Sequence, residues 1–494
     1  MEIKLAGYNL DADIIERLKA KSGETGEDIT PETISAAYAR ISRDPRPVTE
    51  LRKIAREEVD RARKSNQAII FKMGHHSVAE HAVFNFDIMG VSRLAIEEIE
   101  KFRLCSFTEK SQRYITLQGD YLVPNELKDE SLIADFKKTI IKQNTFYFEL
   151  FEKLKAYVFE ENKDLASNPK NHTMLEGWAK EDARYITALA TEGQLGLTVN
   201  ARNLELMFRR FASSSLDEVK QLGLKMYSTV AHIAPSIILF TEANSYDQLT
   251  YPQLRQKASS LGINDIKVRG EAEVKLINFT PKADDMLVAS LLQSSSGTSM
   301  PKIMKKVKTM TLKEKEEVVK AAMEHMQFYD SALREFEHVD LTYELIISAG
   351  AFGQLKRHRM ATITSQAYDP NLGVTIPEAI IKLGMEKDFK KVVKASEKVY
   401  YNILKYNQTA APYILTNSHR KRVLFKCNAR ELYHISRLRE DKTTQWDIRY
   451  LTAKMTALAK EVMPLTMMLI GPKEKYPEKF REIFGKDPQV LPPS

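Results

Sequence analysis

Phe352-Gly353-Gln354-Leu355-Lys356-Arg357-His358-Arg359-Met360-Ala361-Thr362 sets three neighbouring groups able to carry positive charge, Arg357, His358 and Arg359, side by side. Like charges at this spacing repel, so the triplet is easiest to account for if something anionic comes near it. Upstream, Leu341, Tyr343, Leu345 and Ile347 alternate with Thr342, Glu344 and Ile346. That alternation predicts a strand, followed from about Ala349 by a helix that carries the cluster at its end. Basic side chains at a helix C-terminus also offset its dipole and cap free carbonyls, and this structural role stands beside any functional one.

Working outward, the 494 residues leave room for about two to four domains. Hydrophobic residues make up 43% and charged residues 28%, a soluble globular balance with enough apolar material for real cores. A net charge of +8 suits phosphorylated substrates as well as it suits nucleic acid. The two cysteines, Cys105 and Cys427, exclude a disulfide framework and a zinc-ligand set, and fit a reducing, cytoplasmic setting. The opening residues, Met1 to Tyr8, lack the apolar core of a signal peptide, and no apolar run approaches a membrane span.

The chain repeats itself. Glu2-Ile3-Lys4-Leu5 recurs as Glu273-Val274-Lys275-Leu276, and Glu80-His81 before an alternating segment recurs as Glu337-His338 before the strand above. Asn200-Ala201-Arg202 with Leu204 recurs as Asn428-Ala429-Arg430 with Leu432, and Ala234-Pro235 as Met463-Pro464. The offset runs 271, 257, 228, 229 along these pairs, so the first copy is the longer. This ordered set indicates a duplicated domain. Copy one is expected at 1–245, a linker with one short helix at 246–270, and copy two at 271–494. Leu132–Phe159 and Glu314–Met326 read as amphipathic helices, and Ser294–Ser299 as a polar loop. The helix of copy one is expected to end at Arg103 and that of copy two at Arg359.

These residues resemble the flavin-dependent thymidylate synthases, the ThyX family. That family's pattern is Arg-His-Arg, then a loop ending Ser-x-Arg, with a Glu-His strand before and Asn-Ala-Arg-x-Leu on a later helix. Copy one shows Gly74-His75-His76-Ser77, Glu80-His81 and the run Lys101 to Tyr114, with Glu109, Ser111, Gln112 and Arg113 in it. Copy two shows Gln354, Arg357-His358-Arg359, Asn428-Ala429-Arg430-Glu431-Leu432-Tyr433-His434 and Gln445-Trp446-Asp447-Ile448-Arg449. The resemblance implies an α+β chain of two tandem ThyX-like domains, each an antiparallel sheet packed with helices.

The departures from the pattern are complementary. Copy one keeps Ser111 and Arg113, but its triplet is Lys101-Phe102-Arg103 and its glutamine position is Glu98. Copy two keeps Gln354 and the whole triplet, but its loop positions are Ala367 and Asp369. Arg184 lies sixteen residues before Asn200, where the family has a nucleotide-binding arginine, and the same count back from Asn428 lands on Pro412. Arg439 lies eleven residues after Asn428, and the same count from Asn200 lands on Phe211. The family builds each site from two subunits, so fusion would leave one composite site and one decayed site.

The roles that follow are implied by the resemblance. Ser111, Arg113 and Arg184 hold the nucleotide phosphate, with Glu109 and Gln112 beside them. Gln354 meets the polar edge of the uracil ring, Arg357 also binds the substrate, and Arg439 faces the pyrimidine and favours its N3-deprotonated form. His75, Ser77, Arg357, His358, Arg359, Asn428, Arg430 and His434 hold the flavin. Asn428 with Glu431 also reads as a helix N-cap and capping box. His81 reads as a strand histidine satisfied in the core, His434 otherwise as a helix-surface histidine, and Cys105 as a small apolar residue on a packed turn, with Cys427 also packing. The implied reaction is conversion of dUMP to dTMP, with methylenetetrahydrofolate as carbon donor, FAD as cofactor, NADPH as reductant and no metal. A homodimer would restore a four-domain core. The alternatives are another one-carbon transfer to a pyrimidine nucleotide on the same fold, or a non-enzymatic nucleic-acid-binding descendant.

Overall fold

The computed structural model describes residues 1–20, 30–41, 44–263, 266 and 271–488. Residues 264–265 and 267–270 of the expected linker lie outside these, as do 21–29 and 42–43 of copy one and 489–494 of copy two. The chain divides into two compact units. One is Met1–Lys267 with Glu378–Thr416, and the other is Val268–Pro377 with Asn417–Ser494.

The first unit holds an antiparallel sheet of β1 (Glu2–Tyr8), β2 (Val83–Ser92), β3 (Cys105–Glu109) and β4 (Glu192–Asn200), in the order β1-β2-β4-β3. The second holds β5 (Val274–Phe279), β6 (Asp340–Ser348), β7 (Thr362–Ser365) and β8 (Arg420–Asn428), in the order β5-β6-β8-β7. The repeat read from sequence is therefore a repeat of topology. Its register agrees residue by residue: Val83 faces Asn200 as Asp340 faces Asn428, and β1 and β5 bulge at Leu5/Gly7 and Leu276/Asn278.

One residue of the length difference can be seen directly. Gly90, at φ +65°, is the extra residue of a bulge in β2, and β6 runs through the matching place without one. A glycine belongs there on two counts: the positive φ, and a Cβ that would sit 3.1 Å from the Met1 nitrogen. Most of the rest lies between β3 and β4, where the first unit carries the 32-residue helix Glu130–Glu161.

Alternation explains the sheet's burial. In β6, Leu341, Tyr343 and Leu345 are fully covered while Thr342 and Glu344 are half-covered, so one face lies on the helices. With Phe425, Leu432, Ile448 and Met455 these make the second unit's core, each large side chain contributing on the order of 1.5–3 kcal/mol. Each β2- or β6-following helix starts on a serine. Ser92 Oγ accepts from Ala95 N and donates to Glu218, and Ser348 Oγ accepts from Ala351 N and donates to Asp447 at 2.6 Å. Glu218 also accepts from Ser92 N and the Tyr413 hydroxyl; burial still raises its pKa, and that of Tyr413 with it.

Several local expectations need correcting. The two helices end at Ile99 and Leu355, not at the arginines, so both triplets lie on the turn beyond. The Glu-His pairs sit on 3-10 turns, His76–His81 and Arg334–His338, ahead of the strands. The helix after copy one is not a short one: it runs Ser245–Ser260 with a full capping box from Asn244 and Asp247, and the buried Asp247 carboxylate takes Arg209 and Arg210. Among the described residues no helix is long and apolar enough to cross a membrane.

Candidate active site

In the second unit the triplet is not a row of three charges. His358 is 4% exposed, Arg357 half-buried and Arg359 exposed. Arg357 Nε donates to Gly353 O at 3.3 Å, which is the carbonyl-capping role open to any basic residue there. His358 is different. Burial first, then the charge of Arg439 and of His434, pushes its pKa well below 6.5, so the ring is neutral at neutral pH.

The ring's two nitrogens can be assigned from their neighbours. Arg439 Nε donates to His358 Nε2 at 3.0 Å. A guanidinium only donates, so Nε2 carries the lone pair and the proton sits on Nδ1. Nδ1 lies 3.4 Å from Glu431 Oε1. Arg439 also reaches Gln354, through Nη2 to its carbonyl at 3.2 Å and Nη1 to its side-chain oxygen at 3.5 Å. Gln354 Nε2 lies 3.4 Å from Gln445 Oε1, which caps the Trp446–Val462 helix at Ile448 N. Gln354, His358 and Arg439 are thus brought together by the Ala349–Leu355 helix with the turn that follows it and the Ala429–Arg439 helix. His434 is exposed on the latter helix, its ring centroid 5.8 Å from that of His358.

Asn428 caps that helix, accepting from Glu431 N at 2.8 Å. The reciprocal half of a capping box is not formed, because the Glu431 carboxylate is turned to His358. Arg430 is held in a structural pair: its guanidinium donates to Ala332 O at 2.7 Å and to Glu337 at 2.8 Å. The first repeat has the same pair, Arg202 with Glu80, so this contact belongs to the fold rather than to one site.

In the first unit, Ser111 Oγ accepts from Arg113 N at 3.2 Å and fixes the turn after β3. Arg113 Nε donates to the Glu181 carboxylate, and Arg184 Nε approaches Glu181 O at 3.4 Å. Arg184 is buried, and burial with the charges of Arg93 and Arg113 lowers its pKa. Glu109 is engaged by Arg93 at 3.2 Å, and Gln112 is buried. Arg113 and Arg184 thus meet at Glu181, with Ser111 on the Arg113 turn. His75 and Ser77 are exposed on the segment before β2. His81 is exposed too, its ring edge-on to Tyr38 at 4.6 Å, so it is not a core residue. Cys105 opens β3 rather than lying on a turn; both cysteines are buried, and burial holds the Cys427 thiol far up.

The strand register verifies which positions replace which. Ser106 faces Thr198 as Thr362 faces Lys426, and Lys110 N reaches Gln194 O as Gln366 N reaches Arg422 O. Ala367 and Asp369 therefore stand where Ser111 and Arg113 stand. Asp369 caps a short turn at Asn371 N, and Tyr368, in the place of Gln112, covers the Lys421 ammonium at 4.4 Å. In the first repeat the His358–Arg439 positions are Phe102 and Phe211, whose rings meet edge to face with centroids 5.8 Å apart. Asn203 stands in the place of Glu431 and turns back onto Asn200 at 2.8 Å. A polar chain in one repeat is an aromatic pair in the other.

Sequence reasoning passed over Glu431, Gln445 and Glu181. Glu431 was explained by capping alone; Gln445 lay in a recognised motif without a role; Glu181, three residues before Arg184, had helical spacing as its signal.

The family described as "Thymidylate synthase complementing protein" matches residues 27–236 and again 275–465. The UPF0159 protein Ta1429 of Thermoplasma acidophilum is 23% identical over 87% of this chain and 93% of its own length. A UPF0159 protein of Chlamydia pneumoniae is 23% identical over 83% and 80%. The flavin-dependent thymidylate synthase of Clostridium tetani is 30% identical over 43% of this chain and 82% of its own. Long relatives thus match the whole tandem and a short one matches about one copy's worth. With both repeats matched, and a sheet of one topology in each, the chain belongs to the thymidylate synthase complementing protein family.

Proposed function

We propose that this chain converts dUMP to dTMP with methylenetetrahydrofolate as carbon donor, FAD as cofactor and NADPH as reductant, at one composite site drawn from both repeats. The observation that carries this reading is the division of labour. The serine–arginine loop and buried Arg184 survive only in the first repeat, and the Gln354–Arg439–His358 chain only in the second. Independent decay of each copy has no reason to leave one full set.

Arg113 and Arg184 supply charge-assisted donors for a phosphate, and Ser111 a hydroxyl. Gln354, with both a donor and an acceptor, suits an imide edge. Arg439, anchored through Nε on a neutral imidazole, offers positive charge to a pyrimidine that loses its N3 proton. For the flavin the donor set fits: half-buried Arg357 and exposed Arg359 and His434 surround neutral His358, which suits an anionic pyrophosphate. When bound, the flavin supplies the redox chemistry. Arg430, already engaged by Glu337, contributes by holding the helix. The neutrality of His358 also weighs against a polynucleotide surface, because the triplet presents two charges and not three.

The test is growth of a thymidine-requiring strain on wild type, Arg113→Ala and Arg357→Ala, beside mass analysis of the product from purified protein. Growth on wild type alone, with a product heavier than dUMP by one methylene, is expected. Growth on either variant overturns the composite site, and an unmethylated or differently substituted product overturns the reaction.

A further inference from the structure

We propose that Glu431 is a positioning residue: through His358 Nδ1 it fixes the imidazole tautomer that receives Arg439 Nε, and so sets the direction in which that guanidinium is presented. The inference rests on the reading of Arg439 as a substrate-facing group. It goes beyond that reading by assigning work to a carboxylate that touches no substrate.

Geometry is the first support. Glu431 Oε1, His358 Nδ1, His358 Nε2 and Arg439 Nε form one chain at 3.4 Å and 3.0 Å, and all three side chains are at least half covered. The only tautomer compatible with Arg439 Nε as donor puts a proton on Nδ1, where it faces an acceptor. With the other tautomer two N–H groups would face each other across 3.0 Å. The groups facing the ring are Glu431, His434 and Arg439 from one helix, with Gln354 of the other helix held on Arg439 and Arg357 and Arg359 flanking in sequence. Burial first, and then the charges of Arg439 and His434, hold the ring neutral.

The second support is internal to the chain. The same place in the first repeat is filled by Phe102 and Phe211, edge to face, with Asn203 withdrawn to its own cap. The fold therefore does not need a polar chain here. A buried carboxylate, imidazole and guanidinium each cost desolvation that an aromatic pair avoids. Burial does raise the pKa of Glu431, so this arrangement is paid for in stability in one repeat and dispensed with in the other. The repeat that keeps it is the one that keeps Gln354 and the Arg-His-Arg triplet.

The experiment reads the histidine ring nitrogens by 15N NMR in the full-length protein, together with kcat and KM for dUMP. In wild type, His358 shows one tautomer, Nδ1–H, from pH 8 to 6. Glu431→Ala should release it into a mixture or the opposite tautomer, with kcat down about 10- to 100-fold and circular dichroism unchanged. Glu431→Gln, which keeps an acceptor, should restore the Nδ1–H form and most of the lost rate. Glu431→Asn, the residue of the other repeat, is the second variant if alanine does not fold, and it should behave as alanine does. A wild-type tautomer in the alanine or asparagine variant overturns the proposal, whatever happens to kcat. So does a released tautomer with kcat within twofold of wild type. A wild-type protein inactive on dUMP that still shows the Glu431-dependent tautomer overturns the assigned reaction and supports the relay.

Discussion

At the scale of residues, the centre of the basic triplet is an uncharged group. His358 has a depressed pKa, so the unfolded chain binds more protons than the folded one below the ordinary 6.5. Its contribution to stability is complete above that value and is lost as pH falls towards the depressed value. The slope is about 1.4 kcal/mol per pH unit. Glu431, raised by burial, titrates in the opposite sense and remains when His358 is replaced. The urea midpoint of wild type should therefore fall more between pH 7.5 and 5.5 than that of His358→Phe, which carries the residue of the other repeat. Equal falls would mean that the ring binds protons alike in the folded and the unfolded chain, and a smaller fall in wild type that it is already protonated in the fold. From sequence, His358 is one of three adjacent cationic groups; only its packing, 4% exposed beneath Arg439 and Glu431, discharges it.

At the scale of elements, the two helices carrying Gln354 and Arg439 have counterparts that pack by aromatic contact. Installing Phe at 358 and 439 with Asn at 431 should transplant that packing. We expect the triple variant His358→Phe, Arg439→Phe, Glu431→Asn to fold with a melting temperature at or above wild type and to be inactive. A melting temperature lowered by several degrees would show that the polar chain stabilises its own repeat. Much of this level was legible beforehand. The β6 strand followed from the alternation of Leu341, Tyr343 and Leu345, and the positions of Ala367 and Asp369 from counting along the motif from the triplet. What was not legible was where each side chain turns. Glu431 satisfies a capping-box spacing perfectly well, and nothing local says that its carboxylate will choose an imidazole from a turn about seventy residues away in sequence (431 minus 358 is 73).

At the scale of the whole molecule, the boundary expected near residue 245 to 271 does not separate the units alone. Glu378–Thr416 belongs with the first unit although it lies in the second repeat. Within that unit its helix Glu386–Leu404 lies on the Glu130–Glu161 helix, where Gln143 donates to Ser396 Oγ at 2.7 Å and Ile414 O at 2.9 Å, and Phe146 meets Phe389. Such a pairing joins residues some 250 apart and leaves no short-range mark in the sequence. Residues 1–267 expressed alone should accordingly aggregate or stay partly unfolded, whereas co-expression with 268–494 should recover soluble, paired halves. A cooperative, well-folded 1–267 fragment would refute the assignment.

That returning segment also sets a clock on biosynthesis. The first unit cannot close until Thr416 has left the ribosome, 149 residues after Lys267 (416 minus 267). At about 5–20 residues per second this is a wait of roughly 7–30 s. Throughout it, the face of the Glu130–Glu161 helix that will bury Gln143 and Phe146 stays uncovered and open to holdase chaperones or to a neighbouring nascent chain. Slow codons after residue 267 would lengthen that exposure and lower the yield of soluble protein without altering a single contact of the finished fold.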